Sequence, residues 1–425
     1  MIQTLRNAWR VEEIRKKLLF TLIILLIFRI GNAIPVPFVN TAALQSYFTS
    51  LQNTVLGLLN VMSGGAFSQA TIFALSIQPY INASIIIQLL CIAIPALERM
   101  SKDEGEEGKK KIASITRYST VAIALLQGFA YYMLIKNNGL IVSEAKNSVW
   151  AAIVIVLTFT SGSALIMWLG EQITEYGIGN GISMILFAGI ISRFPTSIFS
   201  TIRNVVTGDL KWWVALLMYI GALAIIVLIV FVNDAERRIP VQYAKRVVGR
   251  KMYGGQSTHL PMKVNMSGVM PIIFAQSIAS LPATIAAMTG HSNSAWARTN
   301  TVWYAVLYFA LIIFFAYFYS TIQFNPIEVA NNLKKNGGYI PGFRPGKPTS
   351  EFIQKVLNKI TLFGAIYLGI LATVPILISV FSKTASLTGL SLGGTSIIIV
   401  VGVALETMRA IEAQLLMRNY KGFLD

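Results

Sequence analysis

The sequence predicts an all-α polytopic membrane protein, and two observations lead to that fold class. The chain has 425 residues, of which 55% are hydrophobic and 12% charged, whereas soluble globular chains carry about 25% charged residues. Residues 30–97 form a run of 68 positions without Asp, Glu, Lys or Arg. A water-exposed surface cannot be built from such a run, so a soluble globular protein is excluded.

Ten segments are long and apolar enough to cross a bilayer. A crossing needs about 20 mostly apolar residues, and it must be helical because only a helix satisfies its own backbone groups in lipid. The first segment has no small-residue cleavage site after it, so we interpret it as a retained helix rather than a signal peptide. The ten predicted spans are residues 18–37, 71–95, 118–136, 149–169, 180–201, 212–232, 268–289, 302–322, 360–381 and 394–413.

The positive charges indicate the orientation. The net charge is +17, and 27 of the 35 Lys and Arg residues fall on one side of the membrane when the chain starts there. Cytoplasmic connections carry such an excess. We therefore expect residues 1–17 and the tail 414–425 in the cytoplasm.

Two cytoplasmic connections, residues 233–267 and 323–359, are too long to be simple turns. Both are basic and rich in Gly and Pro. Orientation alone explains part of this charge, but it does not require loops of this length. We expect them to dock a large acidic or RNA-bearing partner.

Interrupted apolar segments indicate a pathway through the membrane. The short apolar piece 54–62 ends at Ser63-Gly64-Gly65, the second span contains Pro79, and the seventh contains Pro271 and Pro282. Broken segments at corresponding places in two halves mark the pathway in inverted-repeat transporters. Ordinary proline kinks are the alternative, because Pro is common in membrane helices.

The chemistry of the spans argues against catalysis and against solute coupling. No predicted span has an acidic residue near its centre, and coupled transporters usually keep one there. One cysteine and two histidines leave no basis for a disulfide, a metal site or a cofactor. Two rival hypotheses stay: a secondary transporter for a small apolar or amphipathic solute, and an intramembrane hydrolase that rests on Ser391 in a G-x-S-x-G string. Arg29 and Arg193 lie near outer ends of spans, where long side chains can snorkel.

Six long strings in order resemble one family along nearly the whole chain. This family is bacterial SecY, the central subunit of the Sec protein-conducting channel. The strings are RIGNAIPVP (29–37), SGGAFSQATIFALSIQPYINASIIIQLL (63–90), EQITEYGIGNGIS (171–183), AKRVVGRKMYGGQSTHLPMKVNMSGVMP (244–271), NPIEVANNLKKNGGYIPGFRPG (325–346) and GGTS (393–396).

The resemblance implies two pseudo-symmetric, inverted-repeat halves of five helices each, residues 18–201 and 212–413. A lateral gate lies between spans 2 and 7, and a plug half-helix occupies about 54–68. It also implies a passive gated channel in the plasma membrane rather than an enzyme. Such a channel passes unfolded secretory polypeptides and releases transmembrane segments sideways into lipid.

The same resemblance assigns site residues by motif. An apolar pore ring falls on Ile81, Ile85, Ile182, Leu186, Ile273 and Ile399, where Leu186 replaces the family's usual isoleucine. The plug contains Leu58, Leu59, Met62, Ser63, Gly64 and Gly65, and the lateral gate involves Ser84, Gln88, Phe274 and Ser277.

Basic loop residues match positions where the family meets its partners. They are Lys245, Arg246, Arg250, Lys251 and Arg344. The implied partners are SecE, SecG, the motor SecA, the ribosome, signal-sequence-bearing preproteins and membrane lipid, with no sequence-specific nucleic acid. Since no nucleotide site is expected in the chain, the energy must come from a partner.

Overall fold

The computed structural model describes the chain except residues 1, 51–54, 103, 143–147, 209, 244–245, 249–250, 254–256, 283–284, 286–300, 382–392 and 422–425. The N-terminal half contains α1 (Ile2–Arg10), α2 (Glu12–Gly31), α3 (Thr41–Ser50), α4 (Val55–Met62), α5 (Gln78–Ala93), α6 (Pro95–Lys102), α7 (Gly105–Asn137), α8 (Val149–Tyr176), α9 (Gly181–Ile191) and α10 (Phe194–Val206). The C-terminal half contains α11 (Trp212–Asp234), α12 (Met270–Ala279), α13 (Val302–Gln323), α14 (Pro326–Lys335), α15 (Lys347–Phe381) and α16 (Gly393–Lys421).

Within the described ranges, six helical segments are long and apolar enough to cross a membrane. They are Gly105–Asn137, Val149–Tyr176, Gly181–Val206, Trp212–Asp234, Val302–Lys335 and Lys347–Ile378. The helices α5 and α12 are apolar but have only 16 and 10 residues. These two helices belong to the predicted spans 2 and 7, the spans that the sequence marks as interrupted.

Span 2 begins as a helix later than the sequence suggests. Residues 72–77 form turns, and α5 starts at Gln78 with Pro79 in its first turn. Proline is favoured there because the first helical amides have no intrahelical acceptor. Likewise, Pro271 opens α12, and the predicted span 180–201 is divided at Ser192 and Arg193 into α9 and α10.

Helix packing repeats between the two halves. In the first half α5 packs on α7 and α7 on α8, and in the second α12 packs on α13 and α13 on α15. The halves meet where α5 contacts α12 and where α9 contacts α16. Helix α11 is the most apolar span, with a mean hydropathy of 3.0, yet only 11% of it is buried within the chain. Its apolar side chains face outward, where lipid acts as their solvent.

Two apolar clusters organise the membrane part. The larger unites side chains of α2, α5, α9, α12, α13, α15 and α16 at the junction of the halves. The smaller closes the outer end of the N-terminal half, around Phe48, Phe67 and Phe159. There Tyr131 stacks on Phe67 with centroids 4.2 Å apart and donates a hydrogen bond to the Phe67 carbonyl.

The two long loops fold together into a small platform, which the sequence analysis does not anticipate. Its strands are β1 (Glu236–Tyr243), β2 (Arg246–Val248), β3 (Lys251–Tyr253), β4 (Ser257–Lys263) and β5 (Gly338–Tyr339). They form the antiparallel sheet β4-β1-β5 and the hairpin β2-β3. Ile239, Val241 and Met262 pack from the sheet onto Leu333 and Ile353 of the second loop and its following helix.

Candidate functional site

The six predicted ring positions come together from four helices. Ile81 and Ile85 lie on α5, Ile182 and Leu186 on α9, Ile273 on α12 and Ile399 on α16. Five of them are at most 4% exposed and belong to one apolar cluster, and Ile182 packs against that cluster. A water-free apolar constriction requires such an arrangement. The assignment of the ring as a seal stays a prediction.

The plug helix α4 ends against this cluster. Met62, its last residue, is 3% exposed and belongs to the same cluster as the ring positions. Leu59 lies partly buried between the two membrane clusters. The side chain of Leu58 lies outside the described part of the chain. The plug segment therefore contacts the apolar constriction through at least Met62 and Leu59.

Two glutamine amides from opposite halves point at the Met62 thioether. Gln276 Nε2 of α12 lies 2.7 Å from Met62 Sδ, and Gln78 Nε2 of α5 lies 3.4 Å from it. Neither glutamine is recognisable from the sequence, because nothing in a linear pattern shows which helix faces a plug. A thioether is a weak acceptor, so this junction of plug and both gate helices is polar but not strongly bound.

The turn after the plug helix needs its glycines. Gly64 and Gly65 have φ values of +68° and +94°, which side-chain-bearing residues rarely adopt. A Cβ on Gly64 would lie 2.8 Å from the carbonyl oxygen of Gly189 in α9. Ser63 is buried and its hydroxyl bridges the turn, because it donates to the Asn60 carbonyl and accepts from the Phe67 amide. This turn lets the plug helix pack closely on α9.

The predicted gate residues divide between the seam and the core. On α5, Gln88 donates from Nε2 to Ser84 Oγ at 3.2 Å. Phe274 of α12 packs edge-to-face on Phe315 and Tyr319 of its own half. Its aromatic contacts therefore lie in the core of the C-terminal half.

The gate region also holds buried polar atoms that lack a partner among the described residues. They are Gln88 Oε1, Gln276 Oε1 and Ser277 Oγ. A buried polar atom without a hydrogen bond costs about 1–3 kcal/mol. Helices α5 and α12 therefore each carry a polar cost that their packing has to offset.

Three of the five predicted docking residues lie in the platform or in the turn beside it. Arg344 is exposed in the turn before α15, and its carbonyl accepts a 2.8 Å hydrogen bond from Thr349 Oγ1. Arg246 and Lys251 are placed in β2 and β3, while their side chains are outside the described part. Lys245 and Arg250 lie outside the described residues, as does Ser391 of the hydrolase hypothesis.

Charged groups join the platform to the membrane helices. Arg409 of α16 donates at 2.7 Å to the Asn233 carbonyl and forms a 2.6 Å ion pair with Asp234, both at the end of α11. Nearby, partial burial and then the positive charge of Arg409 lower the pKa of Lys263 in β4. The end of α11, from which the chain continues into β1, is thereby tied to α16.

Comparison with known proteins identifies the family. The SecY family model matches residues 71–408. The chain is 46% identical over 442 residues to the protein translocase subunit SecY of Streptomyces scabiei, and 43% identical over 447 residues to that of Mycobacterium tuberculosis, with complete coverage of all the chains.

Solved structures of translocation channels share the fold. A protein-conducting channel aligns with a TM-score of 0.67 at 16% identity, over 94% of this chain and 92% of its own. A SecY structure described for its plug domain aligns with a TM-score of 0.66 at 17% identity, with the same coverage. The likeness confirms the predicted fold class, with two helical halves, a plug and a gate. The chain is a multi-pass membrane protein that belongs to the SecY family of protein translocase subunits.

Proposed function

We propose that this chain is the pore-forming subunit of a Sec translocase, acting as a passive gated channel for unfolded polypeptides in the plasma membrane. The observation that carries the proposal is the single buried apolar cluster in which both halves and the plug meet. Six ring positions seal the resting pore. A polypeptide of any sequence that passes between them would be surrounded by apolar side chains. A constriction without a polar ligand has nothing to select.

The same geometry supports a lateral exit between α5 and α12. These two helices are short and apolar, they contact each other across the halves, and each carries buried polar atoms without described partners. A signal sequence or a transmembrane segment would replace this contact with its own apolar surface. The halves 18–201 and 212–413 would then move apart as units.

The cytoplasmic platform is the proposed docking face for the energy source. Its exposed Arg344 and the basic hairpin β2-β3 carry guanidinium and ammonium groups that suit phosphate or carboxylate partners. A ribosome partner is supported by the likeness to Sec61 in the canine ribosome-channel complex, with a TM-score of 0.62. SecA would bind the same face, SecE would hold the halves together and SecG would be peripheral. The proposal has both termini on the cytoplasmic side, with the platform.

The proposal is tested by trapping a chain in the pore. In a Cys91→Ser background, single cysteines are placed at Ile81, at Ile273 or at Ala224, which is exposed on α11 as a control. A secretory protein is then stopped halfway in membranes that contain SecA and SecE. We expect crosslinks from positions 81 and 273 and none from 224. A demonstrably trapped chain that reaches neither ring position would refute the pathway.

A further inference from the structure

Two arginines lie against the turn that ends the plug helix. Arg29 is in the last turn of α2, and Arg193 follows α9. A Cβ placed on Gly64 would lie 3.2 Å from Arg29 Nη1, and one on Gly65 would lie 2.8 Å from Arg193 Nη2. Both guanidinium groups therefore lie against the plug turn. The sequence alone predicts only that they snorkel toward the outer membrane surface.

The positive charges have no carboxylate partner within the described part of the chain. Arg29 instead donates from Nη1 to Ser192 Oγ at 2.9 Å, and that hydroxyl donates to the Gly189 carbonyl at 2.7 Å. Arg193 is partly buried. A partly buried cation needs compensation from some other source of negative potential.

Three helix C-termini supply that potential. Helix α2 ends at Gly31, the plug helix α4 at Met62 and α9 at Ile191. The ends of α4 and α9 lie close together, because a Cβ on Gly189 in the last turn of α9 would lie 2.7 Å from the Met62 carbonyl oxygen. The last turn of α2 reaches them through the hydrogen bond from Arg29 to Ser192. Each C-terminus carries about half a negative charge from its aligned peptide dipoles, which stabilises a nearby cation.

We propose that Arg29 and Arg193 are positioning residues that form an electrostatic latch on the closed plug. One of the three C-termini belongs to the plug, so the two cations lose part of their compensation whenever the plug leaves. The latch therefore favours the seated plug. This inference rests on the proposed function, since it assumes that the plug moves.

The test measures plug seating in the full chain. Ser63, which is 2% exposed, is replaced by cysteine in the Cys91→Ser background, in cells that assemble the complete translocase. Spheroplasts are then treated with a membrane-impermeant maleimide from outside. Arg193→Gln should speed labelling about five-fold, the ratio that corresponds to a typical charge–helix-end interaction near 1 kcal/mol. Arg29→Gln should act in the same direction, and Arg193→Lys should label close to the parent rate because it keeps the charge.

Two further comparisons separate a latch from a general packing defect. Arg203→Gln removes a positive charge from an exposed position on α10 and should leave the labelling rate unchanged. Raising the salt concentration from 0.1 M to 1 M shortens the screening length from about 10 Å to about 3 Å. Salt should therefore speed labelling of the parent and have little effect on the Arg29→Gln, Arg193→Gln double variant.

The outcomes distinguish the latch from the plug proposal. A preprotein halted in the channel should speed Ser63→Cys labelling in the parent, and failure to do so would refute plug movement itself. If that acceleration occurs but both glutamine variants label at the parent rate, only the latch is wrong. If Arg193→Gln does not accumulate in cells, the test uses the salt series on the parent and on Arg193→Lys. A labelling rate that does not change with salt in either protein overturns the latch.

Discussion

The constriction and the gate seam occupy the same junction of the two halves but are built from opposite chemistry. The ring positions contribute only aliphatic side chains, and all but Ile182 are buried to 4% exposure or less. Helix α12, which contacts α5 beside them, buries Gln276 and Ser277, each with a polar atom that has no partner among the described residues. Excluding water stabilises the aliphatic ring, whereas it destabilises the buried polar atoms that have no hydrogen-bond partner. The molecule is therefore expected to seal at the ring and to open at the seam.

Wetting the ring should have the largest effect. In an Ile81→Asn, Ile273→Asn double variant, two amides enter the apolar cluster, and each buried amide without a partner costs about 1–3 kcal/mol. The closed state should therefore be weakened by several kcal/mol. We expect ion leak through reconstituted vesicles and export of proteins with defective signal sequences. An Ala224→Asn variant on the exposed face of α11 is the control, and a double variant as tight as this control would contradict the seal.

Removing the acceptor at the plug should have the next largest effect. Met62→Leu nearly conserves volume but leaves two buried amide groups, on Gln276 and Gln78, without their thioether. We expect the closed plug to lose about 1–3 kcal/mol, seen as faster labelling of Ser63→Cys from outside.

The matched variant Gln276→Leu removes a donor together with its partnerless Oε1. It should therefore leave plug seating unchanged or improve it. Equal loosening by both variants would show that volume, rather than hydrogen bonding, controls this junction.

Ser277→Ala should tighten the gate seam. The variant removes a buried hydroxyl that has no partner in the described part of the chain, so the closed state should gain about 1 kcal/mol. The measurement is the export rate of a protein with a weak signal sequence, which should fall several-fold. Ser280→Ala is the control and should not slow export, because it removes a hydroxyl that does have a partner: the Ser280 hydroxyl donates to the Ser277 carbonyl at 2.7 Å. Faster export by Ser277→Ala would contradict the seam interpretation.

The smallest effect is expected far from both regions, in the platform. Tyr339→Phe removes the 2.9 Å hydrogen bond from the tyrosine hydroxyl to Gln242 Oε1, which joins the two loops. We expect a loss of about 0.5–1.5 kcal/mol, measured as faster amide exchange in β1 and β5. Ion leak should stay at the parent level, and a leak in this variant would mean that the platform and the ring are coupled.

The sequence by itself determined the class of molecule. An uncharged run of 68 residues requires burial in lipid. The bias of Lys and Arg predicts the orientation, and the positions of the prolines predict where spans are interrupted. The six predicted ring positions each occupy a recognisable string, and they share or pack against one buried apolar cluster, while their role as a seal stays a prediction. The alternation of buried Ile239 and Val241 in β1 was a signal for a strand, but it is too short to separate from a loop without the pairing partner.

Only the tertiary structure decided which polar side chains face the plug. Gln276 and Gln78 are 198 residues apart in the sequence and converge on one sulfur atom. Arg29 and Arg193 lie at ends of different helices, and nothing in their local sequence shows that a third helix end meets them. Helix periodicity fixes which residues share a face, whereas the rotation of each helix against its neighbours depends on packing across the whole bundle. For that reason the contacts that hold the plug appear only in three dimensions.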